Sequence, residues 1–166
     1  MIKENSKNKF LGGKLTVLQQ REGFRAGHDS VLLASSIPAK KGDKCLELGV
    51  GAGVVSLCLI KRVPGLSIIG IDNDRDTIKL LKENISLNGV DDHISVIKGD
   101  LNDGSNKFKN LKRHSFDHIF ANPPFYEKGE IVLPKNKNKR NAYYGEKDFI
   151  KNWIKVSLTF VKSKGS

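Results

Sequence analysis

The chain has 166 residues, about one domain's worth of length, and its 38% hydrophobic share with 16 glycines excludes a disordered chain and allows a core without covalent staples. Two cysteines exclude a disulfide-rich secreted scaffold, and the apolar runs fall far short of the ~20 residues that a membrane span needs. The formal charge is +11, with a net +3 on residues 1–100 and +8 on residues 101–166. Such an excess suits an acidic partner, nucleic acid being the commonest, and equally suits a Lys- and Asn-rich composition that serves no partner. The Lys/Asn-rich N-terminus has no apolar segment of the secretory kind, so a cytoplasmic location is expected.

In chain order, residues 1–11 read as a flexible basic arm and residues 14–19 as a strand or hairpin arm. Asp29 or Ser30 is a fitting N-cap for a short helix over 31–37 that stops at Pro38. Residues 44–48 form an apolar strand broken by Gly49, Gly51 and Gly53, and a helix over 54–62 is stopped by Pro64 and Gly65. A second strand over 66–71 ends in Asp72. Residues 74–88 have helical periodicity, with Ile78, Leu81 and Ile85 on one face and Gly89 in C-cap position. A third strand over 94–97 ends in Gly99 and Asp100, and a polar connection over 102–114 follows. A fourth strand over 116–121 runs into Asn122, Pro123, Pro124 and Phe125. Residues 126–147 read as a polar, basic loop, and 148–161 as an amphipathic helix with Phe149, Trp153, Val156 and Phe160 near one face.

Strands alternating with helices imply right-handed crossovers and a parallel sheet, the α/β class. In such sheets ligands bind outside the carboxyl ends of the strands. The glycine loop, Asp72, Asp100 and the Asn122 segment all fall at that edge. Glycines permit positive φ and let a ligand touch the backbone, and the following helix offers unpaired N–H groups to an anion. The third glycine comes one residue too early for a dinucleotide fingerprint. Asp72 stands 19 residues beyond Gly53, where a carboxylate can accept hydrogen bonds from ribose hydroxyls.

The run Glu47-Leu48-Gly49-Val50-Gly51-Ala52-Gly53 with Asp72 resembles the nucleotide-binding motifs of class I S-adenosylmethionine-dependent methyltransferases. The resemblance implies a Rossmann-like methyltransferase sheet with helices on both faces. It implies that Glu47 and the glycines face the methionine end of S-adenosyl-L-methionine. Asp72, with its neighbour Asn73, would then hold the ribose, and Asp100, with Leu101, would approach the adenine.

Asn122-Pro123-Pro124-Phe125 arrives at the same edge. An exocyclic amine or a carboxamide is a poor nucleophile because its lone pair is delocalised. The Asn122 side-chain oxygen and the Pro123 carbonyl offer two acceptors for its two N–H groups, which frees the lone pair, and Phe125 suits stacking on a planar target. The segment resembles that of the Asn-Pro-Pro-aromatic amino-methyltransferases, which modify adenine N6, guanine N2 or the glutamine amide of release factors. The run from Gln19 to Leu33, QQREGFRAGHDSVLL, is similar to the N-terminal segment of the bacterial tRNA1(Val) adenine-N6 methyltransferase family. There it forms a lid or entry helix beside the cofactor, and Asp29 heads that helix.

These resemblances make residues 12–166 a single methyltransferase domain acting on an exocyclic amine, first of all adenine N6 in tRNA. Release-factor glutamine, rRNA guanine N2 and a non-catalytic remnant stay open as alternatives. Lys128, Lys135, Lys137, Lys139, Arg140 and Lys147 follow the proposed catalytic segment and are placed to grip tRNA or other RNA phosphates. Tyr143 and Tyr144 suit base stacking or loop anchoring. Cys45 and Cys58 read as buried reduced thiols, and the four histidines lack metal-ligand spacing. In the family a Lys-x-x-Gly segment precedes a fifth strand and further elements, whereas here it closes the sequence as Lys162-Ser163-Lys164-Gly165-Ser166. The expectation is therefore a fold that lacks the last strands, with the edge of the fourth strand exposed.

Overall fold

A computed structural model describes residues 5–21, 25–123, 126–127, 144–145 and 148–166. Pro124, Phe125, Tyr143 and the basic residues Lys128, Lys135, Lys137, Lys139, Arg140 and Lys147 lie outside the described residues.

Four parallel strands make the central sheet: β3 (Lys44–Leu48), β4 (Ser67–Asp72), β5 (Ile94–Lys98) and β6 (His118–Ala121), in the order β5-β4-β3-β6. Ahead of it, β1 (Asn5–Phe10) and β2 (Leu15–Gln20) form an antiparallel hairpin. The helices are α1 (His28–Ser36), α2 (Val54–Arg62), α3 (Arg75–Leu87) and α4 (Phe149–Phe160). Two short strands, β7 (Tyr126–Glu127) and β8 (Tyr144–Gly145), pair in parallel inside the stretch read as a loop.

Period-2 alternation sorts the sheet residues onto two cores. Cys45 and Ile68 join one core with α1, α2, α3 and β2, where Leu57, Leu59 and Leu81 are buried. Leu46, Leu48 and Ile71 join the other, with Val156 and Phe160 of α4 and with Leu101, Phe108 and Leu111. Burying a side chain the size of Leu or Phe stabilises the fold by roughly 1.5–3 kcal/mol. The polar connection after β5 is not featureless. Short 3₁₀ turns at Leu101–Asp103 and Ser105–Lys107 deliver Phe108 and Leu111 to that second core.

The structure corrects four expectations. The arm expected over 1–11 is a strand from Asn5 to Phe10, held by pairing with β2, with Phe10 at its end packed against the core. Helix α1 starts at His28 with Gly27 at its N-cap, so Asp29 lies within the first turn, where its charge suits the helix dipole, and Ser30 is buried. Strand β6 begins at His118, because Phe116 is bridged to Val161. The outer edge of β6 is also partly covered. Lys162 N–H donates to the Phe116 carbonyl at 2.9 Å and Ser166 N–H to Asp117 at 3.0 Å, while Ile119 N–H donates to the Ser166 carbonyl at 2.7 Å. Asp117 anchors this segment by accepting from Lys162 Nζ at 2.5 Å and from the Lys44 amide at 2.9 Å, contacts that hold its carboxyl below the usual range.

Candidate active site

Sheet register builds the site. Leu48 pairs with Ile71 on one side and Ala121 on the other, and Asp72 pairs with Lys98. Gly49, Asp72, Gly99 and Asn122 therefore leave the sheet on one rim. Gly49 and Asn122 directly follow Leu48 and Ala121, which pair across the adjacent strands β3 and β6.

The glycine loop turns back over this rim. Val50 N–H donates to the Ile71 carbonyl and Gly53 N–H to the Val50 carbonyl, both at 3.0 Å. Gly51 has φ +56, and a Cβ built there would meet nothing within 4 Å, so its backbone faces open space. Gly49 has φ +67, and a Cβ there would come within 2.7 Å of Cη2 of Trp153. The Trp153 ring thus lies against the loop backbone, and it meets Phe149 edge-on at 6.1 Å between centroids.

Asp72 locks loop and rim together. Its Oδ2 accepts from Gly51 N–H at 2.9 Å and its Oδ1 from Asp74 N–H at 3.0 Å. Burial pushes its carboxyl up, and these bonds oppose the shift. The Asn73 backbone also bonds this carboxyl, and since a carboxylate has about four acceptor positions, roughly one remains for a hydroxyl donor. At the next strand end, Asn73 Nδ2 donates to Asp100 Oδ2 at 3.1 Å, and Asp100 Oδ1 accepts from Asn102 N–H at 2.9 Å.

The other expected residues take different places. Glu47 is only 2% exposed; its Oε2 accepts from Ser56 Oγ of α2, and burial pushes its carboxyl up to about 8. It braces β3 against α2 beneath the loop. Leu101 is buried in the second core, because the turn after Asp100 folds its aliphatic side chain inward. Asp29 is exposed in the first turn of α1, a helix packed on α2. Asn122 and Pro123 are half-buried on the rim, while Pro124 and Phe125 lie outside the described residues. Cys45 and Cys58 are buried thiols pushed up to about 12 and about 11, chiefly by burial. Among the described residues, no group of three or more His, Cys, Asp or Glu is placed to hold a metal ion, and no helix is long and apolar enough to cross a membrane.

Sequence reasoning missed two contributors, Trp153 and Asn84. Trp153 is readable only as a core residue of an amphipathic helix; the signal for its second role is Gly49, where a close approach excludes any side chain. Asn84 is fully buried on α3 and donates to the Ala52 carbonyl of the loop at 2.9 Å. A polar residue on an otherwise apolar face was its signal.

An open loop backbone, a strand-end carboxylate with a spare acceptor position and an adjoining Asn–Asp pair fit a ligand carrying ribose hydroxyls and an amino-substituted base. Residues 23–135 match the family described as methyltransferase small domain. A tRNA1(Val) (adenine(37)-N6)-methyltransferase of Tolumonas auensis is 28% identical over 131 residues, 78% of this chain and 52% of that protein. A Methanocaldococcus jannaschii protein named for N5-glutamine methylation is 35% identical over 109 residues, 66% of this chain and 50% of that one. A Pyrococcus horikoshii structure in complex with MeSAdo superposes with a TM-score of 0.61 at 20% identity, covering 96% of this chain and 49% of that chain. The chain spans about half the length of these curated relatives.

Proposed function

The chain belongs to the methyltransferase small domain family, and from that membership we propose that it transfers a methyl group from S-adenosyl-L-methionine to an exocyclic amine, adenine N6 in tRNA. One observation carries the reading: the β3–β6 register pairs Leu48 with Ala121, so the amide that would receive the target nitrogen leaves its strand next to the strand end from which the loop that would hold the cofactor departs.

S-adenosyl-L-methionine, when bound, supplies an electrophilic methyl group. The Gly49–Gly53 loop offers backbone for close approach, and Asp72 offers an acceptor for a ribose hydroxyl. Asp100, steadied by Asn73, is the acceptor for the adenine amino group of the cofactor. Glu47 supports the loop through Ser56. Asn122 Oδ1 and the Pro123 carbonyl are successive acceptors for the two N–H groups of a planar amine. Accepting both draws the lone pair out of conjugation, and the nitrogen becomes acidic once alkylated, so the site needs no strong base before attack. Phe125 follows them for stacking on the base.

The choice of tRNA is supported by the relative named for that reaction and by the net +8 on residues 101–166. The lysine- and arginine-bearing stretch over 128–147 is the proposed phosphate contact. A second reading, transfer to a glutamine amide of a protein, is favoured by the 35%-identical relative. Labelled S-adenosyl-L-methionine supplied with bulk tRNA, ribosomes or release factors separates them. Label in tRNA, recovered as N6-methyladenosine after digestion, supports the proposal; label only in protein replaces it with the second reading.

A further inference from the structure

Asn84 of α3 and Asn88 at its C-cap treat β2 as though the helix were a neighbouring strand. Asn84 Oδ1 accepts from Leu18 N–H at 2.7 Å, and Asn84 Nδ2 donates to the Leu18 carbonyl at 2.9 Å. One turn on, Asn88 Oδ1 accepts from Thr16 N–H at 3.1 Å and Asn88 Nδ2 donates to the Thr16 carbonyl at 2.8 Å. The spacings agree. Four helical residues rise about 6 Å and two strand residues about 6.8 Å, so amides at i and i+4 of the helix meet alternate residues of the strand. β1 therefore takes one edge of β2 and this side-chain ladder takes the other.

Asn84 does one thing that Asn88 does not. The second hydrogen of its Nδ2 goes to the Ala52 carbonyl, inside the glycine loop, at 2.9 Å. A fully buried amide thus satisfies three backbone groups, two on the hairpin and one on the loop. If the hairpin leaves, Asn84 loses two of its three bonds, and its grip on Ala52 weakens. The hairpin in turn fixes the approach to α1. Gln19, itself buried, accepts from Ala26 N–H at 2.8 Å, and Arg25 donates to Ser6 at 2.7 Å and to Asn8 at 3.1 Å.

We infer that Asn84 is a positioning residue that couples the β1–β2 hairpin to the glycine loop, so that cofactor binding and hairpin docking favour one another. This rests on the cofactor reading above. Coupling of this kind is reciprocal, so it is measurable from either side.

The test combines calorimetric titration of S-adenosylhomocysteine with amide hydrogen exchange over residues 5–20, on the whole chain and on Asn84→Ser and Asn88→Ser. In the wild type, S-adenosylhomocysteine should slow exchange across the hairpin about tenfold. Asn84→Ser should weaken S-adenosylhomocysteine binding about tenfold, the size of one lost hydrogen bond, and abolish that protection. Asn88→Ser should speed hairpin exchange yet change affinity by less than about threefold, since it leaves the Ala52 bond in place. Equal affinity losses in the two variants, or protection that persists in Asn84→Ser, overturn the inference. If Asn84→Ser does not fold, the wild-type exchange decides: binding without hairpin protection refutes the coupling, and binding with it sustains the coupling. A folded wild type that binds no S-adenosylhomocysteine instead overturns the cofactor reading, which the titration alone reveals.

Discussion

The carboxylate of Asp72 accepts the amide hydrogen of Gly51 at 2.9 Å, joining the end of β4 to the glycine loop that leaves β3. This bond and its twin to Asp74 mean that Asp72 holds the loop's shape as well as presenting an acceptor to a ligand.

Asp72→Ala should therefore act twice. It should reduce S-adenosylhomocysteine affinity beyond calorimetric reach, roughly 30-fold or more for lost charge-assisted bonds. It should also lower stability by about 1–3 kcal/mol, because backbone amides lose their acceptor. Titration and urea denaturation of the same sample check both. Unchanged affinity would remove Asp72 from the site.

Asn122→Ala should lower turnover by roughly 10²–10³, the usual effect of deleting one transition-state hydrogen bond. S-adenosylhomocysteine affinity should change little, since the partner proposed for Asn122 is the methyl acceptor and not the cofactor. Single-turnover methyl transfer measures this directly, and near-wild-type rates would sink the mechanism.

Gly49→Ala should harm both loop and fold. Its φ of +67 disfavours any Cβ, and the new methyl would collide with Trp153. A loss of about 1–3 kcal/mol is expected from strain and displaced packing together. Thermal unfolding reads it out, and a Trp153→Leu partner variant should recover part of the loss. No recovery would mean that the ring is not what excludes the side chain.

Stability should fall as pH rises, over a window set by Glu47. Its folded pKa is raised to about 8, well above the 4.5 of an exposed carboxyl, chiefly by burial. Between those values the folded chain keeps a proton that the unfolded chain has released, so the contribution is complete below about pH 4.5 and lost as pH rises through about 8. The slope from one such group is at most about 1.4 kcal/mol per pH unit. Asp72 is shifted the same way, so the difference between wild type and Glu47→Gln isolates Glu47. Urea unfolding from pH 5.5 to 8.5 should be distinctly flatter for the variant; equal slopes would contradict the assignment.

Much of this was legible before any coordinates. The strands of the sheet announce themselves as short apolar runs ended by Gly, Asp or Asn, and the site motifs sit at those ends. Asn5–Phe10 did not, because NSKNKF has no apolar alternation and becomes a strand only by pairing with β2. For Asn84 the sequence shows only a polar residue on an apolar helix face, and not its partners Leu18 and Ala52, which are distant in sequence. Glu47 was placed at the rim by its motif, yet alternation along β3 turns it toward Ser56. What escaped the sequence was long-range pairing, which no local pattern encodes.

Trp153 is the chain's single tryptophan, and its ring rests on the first glycine of the loop. The protein therefore contains its own optical probe. Any molecule that reorders the loop must alter the polarity or contacts around one indole, with no second tryptophan to dilute the change. Intrinsic fluorescence can accordingly rank ligands and follow loop motion in stopped flow without a label.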